Sequence, residues 1–381
     1  MPRKLLNVMY SAGEDFVSIH KVHGRVAKVL KADFDEARHW FLRGDSSQLL
    51  GYPLEELSYW QANSKQIKGR GLAFLKKLFF RRRIAKAMTA FQPDALLIDS
   101  LRVARLILPL LVQWPQPARI VLVFHSPVRL APADVKLFRS FTSRRLMLAA
   151  VSNGVAEQLQ LEYPELEGYL IGIPNANDPE DWPVASGSRD EQRAALGFGR
   201  DDILFGAVGR LHKHKNFVFL VHSFARVASR NAQAHLLIVG EGEQRAEMEA
   251  LIEHYGLQQQ IHLLGFQSDV ASLYRAFDWL VCPSVHEGLG LVIGESLQAG
   301  TPVLTSDLAV FREQTRDAGL YAPVNDLEAW EQLLGDALVC SAARRSEIYT
   351  AQLSAYDPQE RWRAFAEGYR RCFCLEDHAL G

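Results

Sequence analysis

Two glutamates eight residues apart, Glu287 and Glu295, stand in the stretch Val281–Gly300, VCPSVHEGLGLVIGESLQAG. The apolar run ending at Cys282 reads as a strand, Pro283 to Glu287 as a loop, and Gly288–Gly290 as the start of a helix. Eight residues is about two helical turns, so both carboxylates can face one cleft. A carboxylate accepts hydrogen bonds from sugar or ribose hydroxyls. The glycines at Gly288 and Gly290, with Leu289 between them, let backbone approach a ligand, and the free N–H groups of a helix start favour an anion. The plainer alternative is a capping Glu followed by a solvated one.

Gly209-Arg210 and Lys215 follow the apolar run Ile203–Val208. A guanidinium fork matches phosphate oxygens and an ammonium adds a point charge, so the pair can hold a diphosphate. His212 and His214, between them, are expected in solvent. After Ala234–Val239 comes Gly240-Glu241-Gly242, a turn or a backbone surface beside a ligand; with no third glycine it is not a dinucleotide fingerprint. His125 ends the apolar run Arg119–Phe124.

These residues all sit in loops after strands, and the elements that carry them alternate. Strands are expected at Leu5–Tyr10, Asp94–Asp99, Arg119–Phe124 and Leu146–Val151, with helices over Leu101–Gln113 and Gly154–Leu161, the second capped by Ser152-Asn153. A stretch rich in Pro, Asp, Gly and Ser, Asn175 to Arg189, reads as a linker. The pattern then restarts with strands at Ile203–Val208, Ala234–Val239, Ile261–Leu264, Trp279–Cys282 and Pro302–Thr305. Helices are expected between them and again over Pro358–Arg371. Continuous apolar strands separated by helices mean parallel sheets covered on both faces. The expected fold is therefore α/β: two doubly wound Rossmann-like domains, residues 1–177 and 178–355, with residues 356–381 packing back on the first. In open α/β sheets ligands bind at the carboxyl ends of strands, which places the site in the cleft between the domains.

Taken together, the spaced motifs resemble the retaining glycosyltransferases of family 4, which have the GT-B fold. The resemblance rests on Gly209-Arg210 with Lys215, Val239-Gly240-Glu241-Gly242, Pro283-Ser284 with Glu287-Gly288-Leu289-Gly290, the Glu-x7-Glu pair, and Ala299-Gly300-Thr301-Pro302-Val303. It is closest over Phe205–Pro323 and looser over Arg119–Asp178, where Val151-Ser152-Asn153 and Ile173-Pro174-Asn175 match. It implies that Arg210 and Lys215 neutralise the diphosphate of a nucleotide-sugar donor, that Glu295 holds the ribose hydroxyls, and that Glu287 and His125 contact the donor sugar. It also implies retention by front-face attack, and no metal or other cofactor; the sequence has no suitably placed Asp-x-Asp. Two departures stand out. The loop after the first strand, Ser11-Ala12-Gly13-Glu14-Asp15, has the single glycine Gly13 where the family often has two, and Leu289 stands where Phe is common.

Bulk properties agree with a two-domain enzyme. The chain has 381 residues, 48% hydrophobic and 23% charged, enough apolar material for two ordinary cores. A net charge of -1 argues against a general nucleic-acid binder. The charge is uneven: residues 1–177 carry 25 Lys+Arg against 15 Asp+Glu, and the remainder 18 against 29. The four cysteines show no metal-ligand spacing, Cys282 reads as core, and the usage fits a reducing cytoplasm. No signal-peptide core and no run of about 18 apolar residues is present. The basic half has a focus in Lys65–Lys86, KQIKGRGLAFLKKLFFRRRIAK, with nine Lys+Arg, no acid, and interleaved Leu and Phe. Such a helix either packs its apolar side on the sheet or lies on an anionic membrane surface.

The expectation is a hexosyltransferase using a nucleoside diphosphate sugar, UDP ahead of GDP. Its acceptor would be a glycolipid or oligosaccharide of lipopolysaccharide-core type, and it would lie peripherally on the inner face of the cytoplasmic membrane. Two rivals stay open. A sugar-nucleotide epimerase of the same fold would need acid/base groups in the first domain, where Asp99 and Asp15 are candidates. A non-catalytic sugar-nucleotide-binding module would have no need of Arg210, Lys215, Glu287 and Glu295 together.

Overall fold

The computed structural model describes residues 3–11, 17–44, 56–68, 73–114, 118–180, 188–267 and 269–373. The chain divides into two compact units. One is Met1–Asn175 with Arg363–Gly381, the other Ala176–Trp362.

The described residues of the first unit form a seven-stranded sheet: β1 (Lys4–Ser11), β2 (Glu36–Arg43), β3 (Leu57–Tyr59), β4 (Ala95–Ile98), β5 (Arg119–Phe124), β6 (Leu146–Ala150) and β7 (Leu170–Gly172). All pairings are parallel, in the order β3-β2-β1-β4-β5-β6-β7. Side chains alternate across a strand. Leu6 and Val8 of β1 thus join a core with Leu96, Ile98, Ile120 and Leu122, which the helix Ala73–Phe91 covers through Phe80, Ile84, Met88 and Phe91. On the alternate set of β1 and β2 positions stand Asn7, Met9, His39 and Phe41, all buried. The helix Pro358–Cys372 contributes its residues from Arg363 onward to this unit. There Phe365 and Tyr369 are buried and the Cys372 carbonyl accepts a 2.6 Å hydrogen bond from Arg119 Nε.

The second unit repeats the plan with β8 (Ile203–Val208), β9 (Ala234–Val239), β10 (Ile261–Gly265), β11 (Trp279–Cys282), β12 (Val303–Ser306) and β13 (Leu320–Ala322). All are parallel, in the order β10-β9-β8-β11-β12-β13. One face packs Phe205, Leu236, Trp279 and Leu304 under the helices Phe217–Ala228 and Leu327–Leu338. The other packs Leu204, Leu237, Leu280 and Val303 under Tyr274, Ile293 and Tyr356. The second sheet is apolar on two faces, as its uninterrupted strand sequences anticipate, while the second face of the first sheet also buries Asn7 and His39.

In each sheet the strand order reverses once, between β1 and β4 and between β8 and β11. The loops leaving those strands diverge to opposite faces and open a crevice at the carboxyl ends. In the second unit they are the loops of Lys215 and Glu287. In the first, Gly13 lies outside the described residues, while Asp99 directly follows β4.

Four strands absent from the sequence reading are present: β2, β3, β7 and β13. Of these, β2 begins with charges, and its Glu36 and Arg38 pair with each other on the surface at 2.8 Å. The other three are three residues each, too short to show a period.

Candidate active site

Lys215 and Glu287 meet at the β8/β11 switch point. Lys215 Nζ donates to Glu287 Oε1 at 2.5 Å, and Ser284 Oγ donates to the same oxygen at 2.9 Å. Neighbouring groups fix the two loops. Asn216, in the left-handed conformation at the head of the helix Phe217–Ala228, donates through Nδ2 to the Pro283 carbonyl at 3.1 Å. The Val285 amide donates to the His214 carbonyl at 2.9 Å.

Burial alone would lower the Lys215 pKa, but the charge and hydrogen bond of Glu287, with further help from Glu295, raise it above the ordinary lysine value. The ammonium is therefore a permanent cation here. Glu295 stands on the helix Leu291–Ala299 and is only 4% exposed. It accepts from the Tyr274 hydroxyl at 3.0 Å. Burying a carboxylate is costly unless it is paired and hydrogen-bonded; Lys215 and Tyr274 meet that need. Burial first, and then the Glu295 charge, pushes the Tyr274 hydroxyl well above its ordinary value, which keeps it a donor. The two glutamates are thus brought around one lysine.

The glycines have structural causes. Gly290 has φ +82° at the head of the Glu295 helix, and a Cβ there would lie 2.6 Å from the Phe311 ring. At Gly240 a Cβ would fall 1.9 Å from the Gly209 carbonyl oxygen. The Gly240-Glu241-Gly242 turn lies directly on the Gly209–Leu211 backbone, and the Leu211 amide donates to the Glu241 carbonyl at 2.9 Å. Close packing of two loops accounts for Gly240. Gly209 lies against Lys215, where an added Cβ would meet Lys215 Cε at 3.0 Å. The Arg210 side chain is exposed, Gly288 is half-buried, and Leu289 is buried, its carbonyl accepting from Gln314 Nε2 at 2.6 Å. Of the histidines expected in solvent, His214 is exposed but His212 is half-buried; the two rings lie 4.7 Å apart.

In the first unit His125 directly follows β5 and is half-buried beside the buried His20, His23 and His39. Asn7, opposite His39 in the β1–β2 register, accepts a hydrogen bond from His23 Nδ1 through Oδ1 (2.8 Å) and donates one through Nδ2 to His39 Nδ1 (3.1 Å). His39 Nε2 then points its proton toward Glu56 Oε2 at 3.6 Å. The amide thereby sets both tautomers. The His23 and His125 rings are 5.4 Å apart, and the Nε2 atoms of both are buried without a hydrogen-bond partner among the described residues. Burial, then the charge of His20, pushes His125 down to about 3; burial brings His39 to about 4.

Two contributors escaped the sequence reading. Tyr274 is one more apolar position in its helix, and nothing local marks it as the partner of a residue 21 places on. Ser284 sits three residues before Glu287, a spacing that offers a signal, but hydroxyls in loops are common.

Residues 188–353 match the family described as glycosyl transferases group 1. This segment holds Arg210, Lys215, Glu287 and Glu295. The chain is 29% identical over 202 residues to the putative glycosyltransferase EpsF of Bacillus subtilis (strain 168), 52% of each chain. It is 31% identical over 150 residues to the lipopolysaccharide core biosynthesis glycosyltransferase LpsE of Rhizobium meliloti (strain 1021), 38% of this chain and 43% of that one. The chain spans about half the length of the curated relatives it matches. Solved structures match over nearly all of it. The glycosyltransferase from Rickettsia africae ESF-5 has a TM-score of 0.78 at 19% identity, covering 99% of both chains. Anabaena Alr3699/HepE, solved in complex with UDP, has 0.74 at 16%, covering 97% of this chain and 100% of that one. The fold is accordingly the expected one: two parallel-sheet Rossmann-like units of the kind found in GT-B glycosyltransferases.

Proposed function

We propose that this protein is a retaining, family-4-type glycosyltransferase that moves a hexose from a nucleoside diphosphate sugar, UDP ahead of GDP, to a glycolipid acceptor of the lipopolysaccharide-core class. The observation that carries the reading is the Lys215–Glu287 pair at the β8/β11 switch point, with buried Glu295 behind it, inside the matched segment. The UDP complex of the Anabaena neighbour and the lipopolysaccharide role in the name of the Rhizobium relative support the donor and acceptor classes.

The chemistry follows from charge. A nucleoside diphosphate leaves with growing negative charge, and fixed cations placed where that charge develops lower the barrier. Lys215 has three ammonium protons, so it can bind a phosphate oxygen while still holding Glu287. Arg210 adds a forked donor from an exposed position on the same loop, and the helix beginning at Leu291 adds backbone N–H groups. Glu287, fixed by Lys215 and Ser284, would receive a sugar hydroxyl, and Glu295 the ribose hydroxyls. His125 would contact the donor sugar. Retention then proceeds by front-face attack of the acceptor hydroxyl, with the departing phosphate oxygen as base. No metal is invoked.

A membrane-held acceptor suits the helix Ala73–Phe91. Its inward side fills the first core, yet Phe74, Leu75 and Phe79 are exposed by 57%, 58% and 67%. Leu75, Phe79, Arg82 and Lys86 follow the i, i+4, i+7, i+11 spacing of a single stripe, and Lys76 and Arg83 are exposed nearby. Apolar side chains continuing into exposed cations suit an anionic bilayer surface. The protein would then sit peripherally on the inner face of the cytoplasmic membrane. Flotation with phosphatidylglycerol vesicles should carry the protein, and Phe79→Ser should reduce it; flotation unchanged in the variant rules this stripe out.

The transferase reading is tested by assaying donor turnover with a panel of UDP- and GDP-sugars. Wild type should release the nucleoside diphosphate from one of them, and Glu287→Ala should lose most of that activity. Equal turnover by both proteins removes Glu287 from the reaction.

A further inference from the structure

Asn7 is a fully buried amide in β1, an interior strand of the first sheet. Its hydrogen-bond partners are imidazoles: His39 on β2 and His23 on the helix Val17–Leu30. Polar groups buried in this way are costly unless their hydrogen bonds close. Glu56 decides how these close. Its Oε2 lies 3.6 Å from His39 Nε2, and a carboxylate attracts an N–H and repels a lone pair. Burial keeps His39 neutral, with a pKa brought down to about 4. Its one ring proton is therefore on Nε2, and its Nδ1 is an acceptor. Asn7 must then face His39 with Nδ2, at 3.1 Å, which turns Oδ1 to His23 Nδ1 at 2.8 Å. His23 thus carries its proton on Nδ1, and its Nε2 is left as a lone pair. One carboxylate sets the proton positions of three residues in turn.

The line ends at His125. The His23 and His125 rings lie 5.4 Å apart with 36° between their planes, and the Nε2 atoms of both are buried without a hydrogen-bond partner among the described residues. Two lone pairs here would leave both atoms unsatisfied. A proton on His125 Nε2 gives the His23 lone pair its donor. His125 is neutral, pushed down to about 3 by burial and then by the charge of His20. A neutral ring protonated on Nε2 keeps its Nδ1 lone pair for a ligand.

We propose that Asn7 and His23 are positioning residues that hold His125 in its Nε2–H tautomer, so that Nδ1 accepts a hydrogen bond from a hydroxyl of the donor sugar. The arrangement sets a specificity. A lone pair favours a sugar hydroxyl at that place over a carbonyl or carboxylate oxygen, which has no proton to give. The tautomer stands on the residues above; its use rests on the reading of His125 as a group that contacts the donor sugar.

The test is long-range proton–nitrogen NMR correlation of the histidine rings in the full chain at neutral pH, joined to donor kinetics. Wild-type His125 should be protonated on Nε2 alone. His23→Phe keeps a ring in place and removes the lone pair. His125 should then populate both tautomers, and kcat/KM with the active donor should fall by about tenfold, the scale of one neutral hydrogen bond. His23→Gln offers a carbonyl acceptor again and should restore the tautomer and most of the rate, which a role in packing alone would not do. Asn7→Leu releases the His23 tautomer and should move His125 as His23→Phe does. His125 protonated on Nδ1 in wild type overturns the proposal without any variant, so the proposal stays decidable even where a variant fails to fold. An unchanged His125 signature in both His23→Phe and Asn7→Leu overturns it as well. A fixed Nε2–H tautomer with no turnover of any UDP- or GDP-sugar removes the transferase reading and leaves the tautomer network standing; donor turnover with the tautomer unfixed does the reverse.

Discussion

The two sheets reverse at equivalent points, β1/β4 and β8/β11, and the polar groups around those points follow opposite rules. In the second unit charge is matched inside the protein: Lys215 serves Glu287 and Glu295, Ser284 and Tyr274 complete the hydrogen bonds, and the cation is held fast. In the first unit the buried groups around Asn7 are imidazoles kept neutral. The contrast suits different tasks. A site for a diphosphate benefits from a cation organised before the ligand arrives, because no reorganisation is then required as charge develops. A site for neutral hydroxyls benefits from imidazoles with fixed tautomers, which present a lone pair or an N–H without competing charge.

The strongest way to break this comparison is to remove the charge at its centre. Lys215→Ala should lower donor turnover by about 100- to 1,000-fold, the range found when one electrostatic donor is removed from a preorganised site. Lys215→Arg should recover part of the loss, because the charge stays while the shape changes. Steady-state kinetics with the active donor checks both. A loss confined to KM would mean that Lys215 binds donor and transition state equally, and the contrast between the units would then concern affinity only.

The second effect separates the units by pH. An imidazole that stays neutral when folded takes a proton when unfolded, so its contribution is lost as pH falls below 6.5, the ordinary histidine value. The loss continues down to about 4 for His39 and about 3 for His125. For His39 alone the shift corresponds to about 3 kcal/mol across that window. The second unit has the opposite exposure. Lys215 and Cys282 are held above their ordinary values, Cys282 at about 12 through burial, so their contributions are complete below those values and fade as pH rises through the raised ones. Hydrogen exchange should therefore show β1 and β5 amides losing protection first on acidification, and β8 and β11 amides first at alkaline pH. His39→Gln should flatten the acid arm. Equal acid sensitivity of both sheets would show that the histidine layer does not set it.

How much of this was legible depends on whether a residue's neighbours lie in sequence or in space. Ile203–Val208, Ala234–Val239 and Trp279–Cys282 are the expected strands to the residue, since uninterrupted apolar runs bounded by loops leave little choice. The Lys215–Glu287 association follows from the same logic, because both residues leave strands that flank one switch point. By contrast β2 mixes Glu36 and Arg38 with Trp40 and Phe41, and only pairing to β1 makes it a strand. In the basic segment Phe80 and Ile84 pack inward, as the sheet-packing alternative expects, while Phe74 and Phe79 stay exposed on the same helix. Gly240 illustrates the limit most clearly. Its sequence context leaves a turn or a ligand-facing backbone open, and only the fold shows that the Gly209 carbonyl leaves no room for a Cβ there. Asn7 and its histidines were invisible because their contacts join residues 16 and 32 positions apart.

The smallest effect tests whether charge matching in the second unit is complete without its neutral partner. Tyr274→Phe removes one hydroxyl and leaves the ring in the apolar layer beneath the sheet. Glu295 Oε2 then loses a 3.0 Å donor in a buried setting. Losing a hydrogen bond to a charged group costs about 1.5–3 kcal/mol, and the continued attraction of Lys215 keeps the expectation near the lower figure. Denaturant unfolding should show the midpoint falling with an unchanged slope. Ser284→Ala should cost less, because Glu287 remains paired directly with Lys215 and is not fully buried. If Ser284→Ala proves the more damaging, the hydrogen bond organises the loop and not the charge, and the second unit depends on preorganised backbone more than on paired ions.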